Sequence, residues 1–558
     1  MYSKHLLKIL LFLKQKSNNF KFNDQILAQT ITTGLSLTHP TPTCNCLIRA
    51  YSQSPTPIKA VLAYNYFIKI GSNSNFADNY TYPALLKACC RLSSIPNGKQ
   101  LHAHVIKTGL DCDIYVANSL LHFYGFLAQF TDARFLFDKM SKRDIASWNT
   151  IMGAYTTSSN SIIEIMAFFK RLMCENVRAD NITLVILLSA CVQEPKLEFG
   201  RVVHDFVIKM GFGSILNVNN ALLNMYTKYK EMDSALKVFD ELDHWKDVVS
   251  YTILINGYVE IGLIDLGIKI FHQIIDKDVG LWNLMIHAYV KAKRPTNALE
   301  LFKKMGNEGV MPDQNTMVSL LAACASLLDL QYGRLLHMFI NSNNVKQDVY
   351  VKTALIDMYS KCGSVEEALV IFYKMEYRDV FTWTAMIEGL ANNGYGNEAM
   401  KFFMRMEEEG IQPNEATFVS VLTGCSHSGF VNEGSQLFKK MVEVYSLQPK
   451  NEHFGCLIDL LSRAGLLYQA EEFVKLLLPE ERFTAYKILL SACIKYSEFE
   501  VGEKVAYEMV KLKSHSHETH VLLSNFHAVA GQWERVAKTR RMMKELKTRK
   551  NPGFSSVS

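Results

Sequence analysis

Between Val349 and Asp379 the chain reads VYVKTALIDMYSKCGSVEEALVIFYKMEYRD, with apolar residues returning every three or four positions on both sides of KCGS. That spacing predicts two amphipathic helices joined by a tight turn. Gly363 is placed to close the first helix, and Ser364 to cap the second, whose first turn carries Glu366 and Glu367. The pattern is not local. VANSLLHFY and NNALLNMY echo VKTALIDMY, while LLKACC, LLSACV, LLAACA and VLTGCS set Cys89, Cys191, Cys324 and Cys425 at steps of 102, 133 and 101 residues. A third series, SWNTIM, LWNLMI and TWTAMI, places Trp282 and Trp383 101 residues apart. The long step exceeds its neighbours by one further hairpin, so the period is a triplet of units of about 35, 35 and 31 residues.

A hairpin of this length cannot bury its apolar stripe alone, and adjacent hairpins must stack into one continuous core. The expected fold is all-α, an α-solenoid of helix-turn-helix units. Landmarks place about 13 repeats over 41–482, two degenerate hairpins over 483–550 and a tail at 551–558. ILAQTITTGLSLTHP reads as the second half of a further unit, a partial repeat over 23–40. Prolines in MPD (Met311–Asp313) and QPN (Gln412–Asn414) fall just beyond second helices, which they cannot continue.

These residues resemble the plant pentatricopeptide repeat (PPR) proteins of the PLS subfamily. The triplet of lengths, the MPD and QPN endings, the LLSAC motifs and ALIDMYSKCG carry the likeness. The tail HVLLSNFHAVAGQWERVAKTRRMMKELKTRKNPGFSS resembles the E-type extension of the subgroup that lacks the DYW deaminase domain. The resemblance implies a right-handed solenoid that binds single-stranded RNA in an organelle. In that family a P- or S-type repeat reads one base through the fifth residue of its first helix and the last residue of the repeat. Carried over, the couples are Asn45 with Asp78, Asn118 with Asp144, Asn149 with Asp180, Asn220 with Asp247, Thr252 with Asp278, Asn283 with Asp313, Thr353 with Asp379, and Thr384 with Asn414. A short polar side chain suits hydrogen bonding to a base edge, and a second residue that orients it, directly or through water, makes the contact selective. Asn with Asp implies a pyrimidine, preferably U; Thr with Asp implies G; Thr with Asn implies A. The L-type repeats carry Pro83, Val185, Val318 and Val419 at the fifth position and offer no polar edge, and Gly455 leaves the last S-type repeat unassigned. The expected RNA is 5′-U-n-U-U-n-U-G-U-n-G-A-n-n-3′.

Rival uses of the same residues are weaker. Trp148, Trp282 and Trp383 precede reading residues by one, so they point elsewhere on the helix and belong to the core rather than to a base-stacking platform. A lone mid-helix Asn is unfavourable, but eight polar residues at homologous positions form a series. HSHETH has the wrong spacing for a zinc site, and no metal or other cofactor is expected. The tail residues Arg535, Lys538, Arg540, Arg541, Lys544 and Lys547 read either as a solvated helix face or as a phosphate or partner contact.

The 558 residues carry a net charge of +6 and are 49% hydrophobic, a composition suited to a core but only mildly inviting to a polyanion. Twelve dispersed cysteines without Cys-x-x-Cys argue against a disulfide framework. The first 22 residues, rich in Lys and free of acid, read as an organelle-targeting presequence, with an ordinary basic helix as the alternative; their apolar run is too short to span a membrane. A mitochondrial destination is expected, with the chloroplast as alternative. Cytidine deamination needs His-x-Glu and Pro-Cys-x-x-Cys around zinc. Neither occurs, so the expected role is not enzymatic: recognition of a C-to-U editing site, with a DYW-type deaminase and organellar editing cofactors as partners in trans. The alternatives are an RNA stability, processing or splicing factor, and a protein-binding scaffold without RNA.

Overall fold

The computed structural model describes residues 40–70, 77–156, 161–193, 197–343, 345–512 and 517–545, with Asp24, Leu27 and Ala28. The presequence expected over 1–22, most of the partial repeat, Lys547 and the tail at 551–558 lie outside the described residues. Regular structure among those described is entirely helical, in thirty α-helices and two 3-10 turns. Two compact units divide the chain, Met1–Ile274 and Ile275–Ser558.

Hairpins form both units. The first runs from Pro40–Gln53 with Ile58–Ile70 to Val248–Glu260 with Ile264–Gln273, and the second from Val279–Lys291 with Pro295–Asn307 to His517–Val529 with Trp533–Glu545. Within each unit the first helix of a hairpin packs on its own second helix and on the first helices of its neighbours. This arrangement explains the two kinds of apolar pattern. Ile145–Tyr155, covered on several sides, buries Ser147, Trp148, Asn149, Ile151, Met152 and Tyr155. Val365–Lys374, covered on one side, buries only Val365, Ala368 and Phe372, a single i, i+3, i+7 stripe. Each unit is an α-solenoid with one layer of first helices and one of second helices.

The three tryptophans that precede fifth-position residues are core. Trp148, Trp282 and Trp383 are at most 1% exposed. Trp148 meets Phe137 edge-on at 4.7 Å, Trp383 meets Phe372 at 4.8 Å, and Tyr251 occupies the same place against Phe239 at 5.1 Å. Each ring pair joins the second helix of one hairpin to the first helix of the next. The turn chemistry differs from expectation in one respect. Gly363 does close its helix in the left-handed region, at φ 80°. Ser364 stands at the N-cap but accepts no backbone N–H; its hydroxyl instead bonds the Glu367 carboxylate, which also binds Arg334 at 3.0 Å. The carboxylate takes the hydroxyl proton as a charge-assisted bond and fixes the side chain away from the helix N–H groups.

Three of the four seams between L-type hairpins and their S-type successors share a further design. A Cβ on Gly98 would fall 1.9 Å from the Phe123 ring, and one on Gly333 would fall 2.3 Å from the Met358 sulfur, so the helices approach to a distance only glycine permits. Beside the glycine stands a cation bound to an acid of the next hairpin: Lys99 to Asp132 at 3.0 Å, Arg201 to Glu231 at 3.8 Å, Arg334 to Glu367 at 3.0 Å. One turn on, His102, His204 and His337 meet Tyr124, Tyr226 and Tyr359 at 2.8, 2.8 and 2.9 Å. The final two hairpins repeat the seam with its charge reversed: Gly502 abuts Phe526, and Glu503 binds Arg535 at 3.0 Å.

Candidate nucleic-acid interface

A helix start leaves backbone N–H groups without partners, and a short acceptor side chain at the N-cap supplies one. The last residue of each reading repeat does this for the next first helix. Asp78, Asp144, Asp180, Asp247, Asp278, Asp313, Asp379 and Asn414 each accept the N–H three residues on, at 2.8–3.0 Å. The residue supplying that N–H is Thr81, Ser147, Thr183, Ser250, Thr316, Thr382 or Thr417 in seven of these eight places, and Leu281 in the other. All seven hydroxyl residues are fully buried.

The fifth-position amides meet these caps from the preceding first helix. Asn45, Asn149, Asn220 and Asn283 donate through Nδ2 to Asp78, Asp180, Asp247 and Asp313 at 2.9, 3.0, 3.3 and 3.0 Å. At the other end of each amide, Oδ1 accepts from Thr81, Thr183, Ser250 or Thr316 at 2.5, 2.7, 2.7 and 2.6 Å. One N–H and one lone pair of each amide stay uncommitted. Asn118 departs from the set: Nδ2 reaches Asp144 at 3.2 Å, while its buried Oδ1 has no protein partner.

The threonines are wired differently. Thr353 shares a 2.8 Å hydrogen bond with the Thr382 hydroxyl, and Thr384 shares one of 2.7 Å with Thr417. Their link to Asp379 and Asn414 runs through those hydroxyls: Thr382 donates to the Asp379 cap oxygen at 2.8 Å, while Thr417, whose proton goes to Thr384, lies 3.0 Å from Asn414 Oδ1. The mediator is therefore a side chain of the next helix, where direct or water-borne contact was expected. Thr384 also donates to the Val380 carbonyl at 2.7 Å, and Thr252 to the Val248 carbonyl at the same distance, leaving each hydroxyl oxygen as an acceptor. Thr252 and Asp278 belong one to each compact unit.

Burial pushes the carboxyls of Asp144, Asp180, Asp247 and Asp313 upward. The hydrogen bonds each accepts from the Ser or Thr three residues on, and from its partner Asn, outweigh that and hold all four below the ordinary carboxylate range. These four carboxylates stay ionised at any physiological pH.

Two residue sets escaped the sequence reading. One is the buried hydroxyls, foreshadowed by the Asp-x-x-Ser/Thr spacing of a helix start. The other lies three residues before the fifth position, on the same helix face: Tyr115, Val249, Tyr350 and Phe381 before polar fifth residues, and Tyr80 and Ile182 before Pro83 and Val185, are all more than half exposed. An apolar residue at the second place of an otherwise buried helix was the available signal. In the basic tail, Arg535 is engaged by Glu503, Arg540 donates to Ser524 at 3.2 Å, and Lys538 and Arg541 are exposed; Lys544 belongs to Trp533–Glu545. Among the described residues no three His, Cys, Asp or Glu side chains are grouped to hold a metal, and no helix is long and apolar enough to cross a membrane.

Comparison with known proteins accords with this architecture. The PPR repeat model matches residues 220–245, 249–279, 351–380 and 416–444, the PPR repeat family model matches 277–326 and 378–427, and the E motif model matches 496–558. A chloroplastic pentatricopeptide repeat-containing protein of Arabidopsis thaliana is 34% identical over 545 residues, covering 92% of this chain and 69% of its own length. A mitochondrial one is 34% identical over 515 residues, at 92% and 75% coverage, and a third is 34% identical over 553 residues, at 99% and 91%. The crystal structure of the pentatricopeptide repeat protein PPR10 from maize shares the fold, with a TM-score of 0.56 at 16% identity over 91% of this chain and 79% of that one. Triplet hairpins on capped helix starts, an E motif and relatives of this identity and coverage make the chain a member of the plant pentatricopeptide repeat family, with PLS organisation and an E-type extension.

Proposed function

We propose that the protein binds single-stranded RNA of a plant organelle sequence-specifically and marks a site for C-to-U editing by a deaminase supplied in trans. The observation that carries this reading is the series of fifth-position side chains, seven of the eight oriented by a capped helix start and left with uncommitted hydrogen-bonding capacity. An amide with one spare N–H and one spare lone pair complements a base edge that has both a carbonyl and an N–H, as uracil does. A threonine whose proton is spent on its own helix offers a lone pair, which suits the amino or imino donors of a purine. The exposed apolar residues one turn earlier supply faces for the bases to stack on. The E motif supports the editing role, and the 558 residues carry neither His-x-Glu nor Cys-x-x-Cys, which supports a deaminase acting in trans. A mitochondrial destination follows the basic leader; the relatives include both organelles.

Gel-shift titration with 5′-U-n-U-U-n-U-G-U-n-G-A-n-n-3′ and with a version exchanging G and A tests the readout; equal affinity for both would sink it. Sequencing organellar cDNA from plants lacking the protein tests the role. An unedited C shortly 3′ of the bound site is expected, whereas unspliced or shortened transcripts with normal editing would assign the protein to processing instead.

A further inference from the structure

Every reading amide faces a choice of orientation. An Asn head group is nearly symmetric in shape and opposite in polarity at its two ends, so a half-turn about its last torsion exchanges the donor and acceptor it presents at little steric cost. We propose that the buried hydroxyl three residues into the following helix, Thr81, Thr183, Ser250 and Thr316 for Asn45, Asn149, Asn220 and Asn283, settles that choice and is a specificity-determining residue of the preceding repeat. The proposal rests on the RNA-reading role given above.

Three observations carry it. The hydroxyl sits between the two groups that matter: Thr183 lies 2.7 Å from Asn149 Oδ1 and 2.8 Å from Asp180 Oδ1, and Thr316 lies 2.6 and 3.0 Å from Asn283 and Asp313. It is itself aimed by the backbone, because its oxygen accepts the N–H of Asp180 at 3.2 Å and of Asp313 at 3.1 Å, directing its proton toward the side chains. Being fully buried, it acts only through the amide, which makes it a positioning residue.

The chain also contains a contrasting case. Behind Asn118 the hydroxyl of Ser147 donates to Asp144 at 2.8 Å, and Asn118 Oδ1 lies buried with no protein partner. Only the carboxylate orients that amide, so the repeat at 114–144 is the Asn repeat with the weakest base preference.

The test uses the full chain and a pool of RNA randomised across the site, with bound RNA sequenced and each variant's melting curve recorded. Thr183→Val should cut the pyrimidine preference opposite the repeat 145–180 about fivefold, the worth of one hydrogen bond, and leave the position opposite 279–313 unchanged. Thr316→Val should do the converse, and Thr183→Ser should retain the wild-type profile. Ser250→Ala, which removes the least volume, gives the same readout should a valine variant fail to fold. Unchanged preference in the valine variants, or a uniform loss of affinity for every sequence, overturns the proposal. A wild-type protein without positional preference would instead remove the RNA-reading role itself, and the proposal with it.

Discussion

The seams at Asn283–Asp313–Thr316 and Thr384–Asn414–Thr417 start their helices in the same way and differ in what they present. In both, the cap oxygen accepts the third N–H, at 2.9 and 3.0 Å, and the buried threonine reaches the fifth-position side chain, at 2.6 and 2.7 Å. In the first a carboxylate holds an amide directly at 3.0 Å; in the second a neutral amide caps the helix, and the reading hydroxyl gives its proton to Val380. Helix initiation and the orientation of the fifth-position side chain are thus separable properties of one residue cluster. The L-type repeats make the same point from the other side. Asp113 and Asp348 end repeats whose fifth residues are Pro83 and Val318, yet they cap the next helices as the reading acids do. A terminal Asp is first a helix cap, and it joins the couple proposed to read a base only when an amide or hydroxyl stands at the fifth position before it.

The largest lever on the comparison is the ring behind each reader. Trp383→Ala should cost about 3–5 kcal/mol in urea unfolding, with RNA affinity following only the folded fraction, while Trp383→Phe retains both. Lost affinity at unchanged stability would mean that the ring touches a base after all. Next comes conversion of one seam into the other. Thr384→Asn with Asn414→Asp should move the preference opposite that repeat from A to a pyrimidine by about 1–3 kcal/mol in competition binding, with little change in melting. The smallest effect is that of pH. Asp313 has its carboxyl held below the unfolded value near 3.9, so its contribution is complete above that value and is lost as pH falls through the lower folded one. Asp313→Asn should flatten the acid limb of the stability profile, whereas Asn414→Asp should add one.

Much of this was legible in the sequence because hairpin repeats write their packing as periodicity. The landmarks around Cys89, Cys191, Cys324 and Cys425 placed the first helices, and a tryptophan one residue before a reading position had to turn away from it. The hydroxyls were harder to see. Thr183 or Thr316 reads as an ordinary capping-box residue, and its second bond, to an amide more than thirty positions earlier, exists only once two hairpins dock. Ser364 erred for the related reason that its strongest partner, Glu367, is committed to a third residue, Arg334, from the preceding hairpin.

The reversed pair at Glu503–Arg535 has a consequence for assembly. Helical hairpins of similar shape, made in succession, are exposed to docking on the wrong neighbour. Were the hairpin carrying Glu503 to dock on one bearing Asp132, Glu231 or Glu367, acid would face acid; a hairpin carrying Lys99, Arg201 or Arg334 would meet Arg535 as like charge. The inversion sets like charge against like in those alternative dockings and so disfavours them relative to the native C-terminal pair.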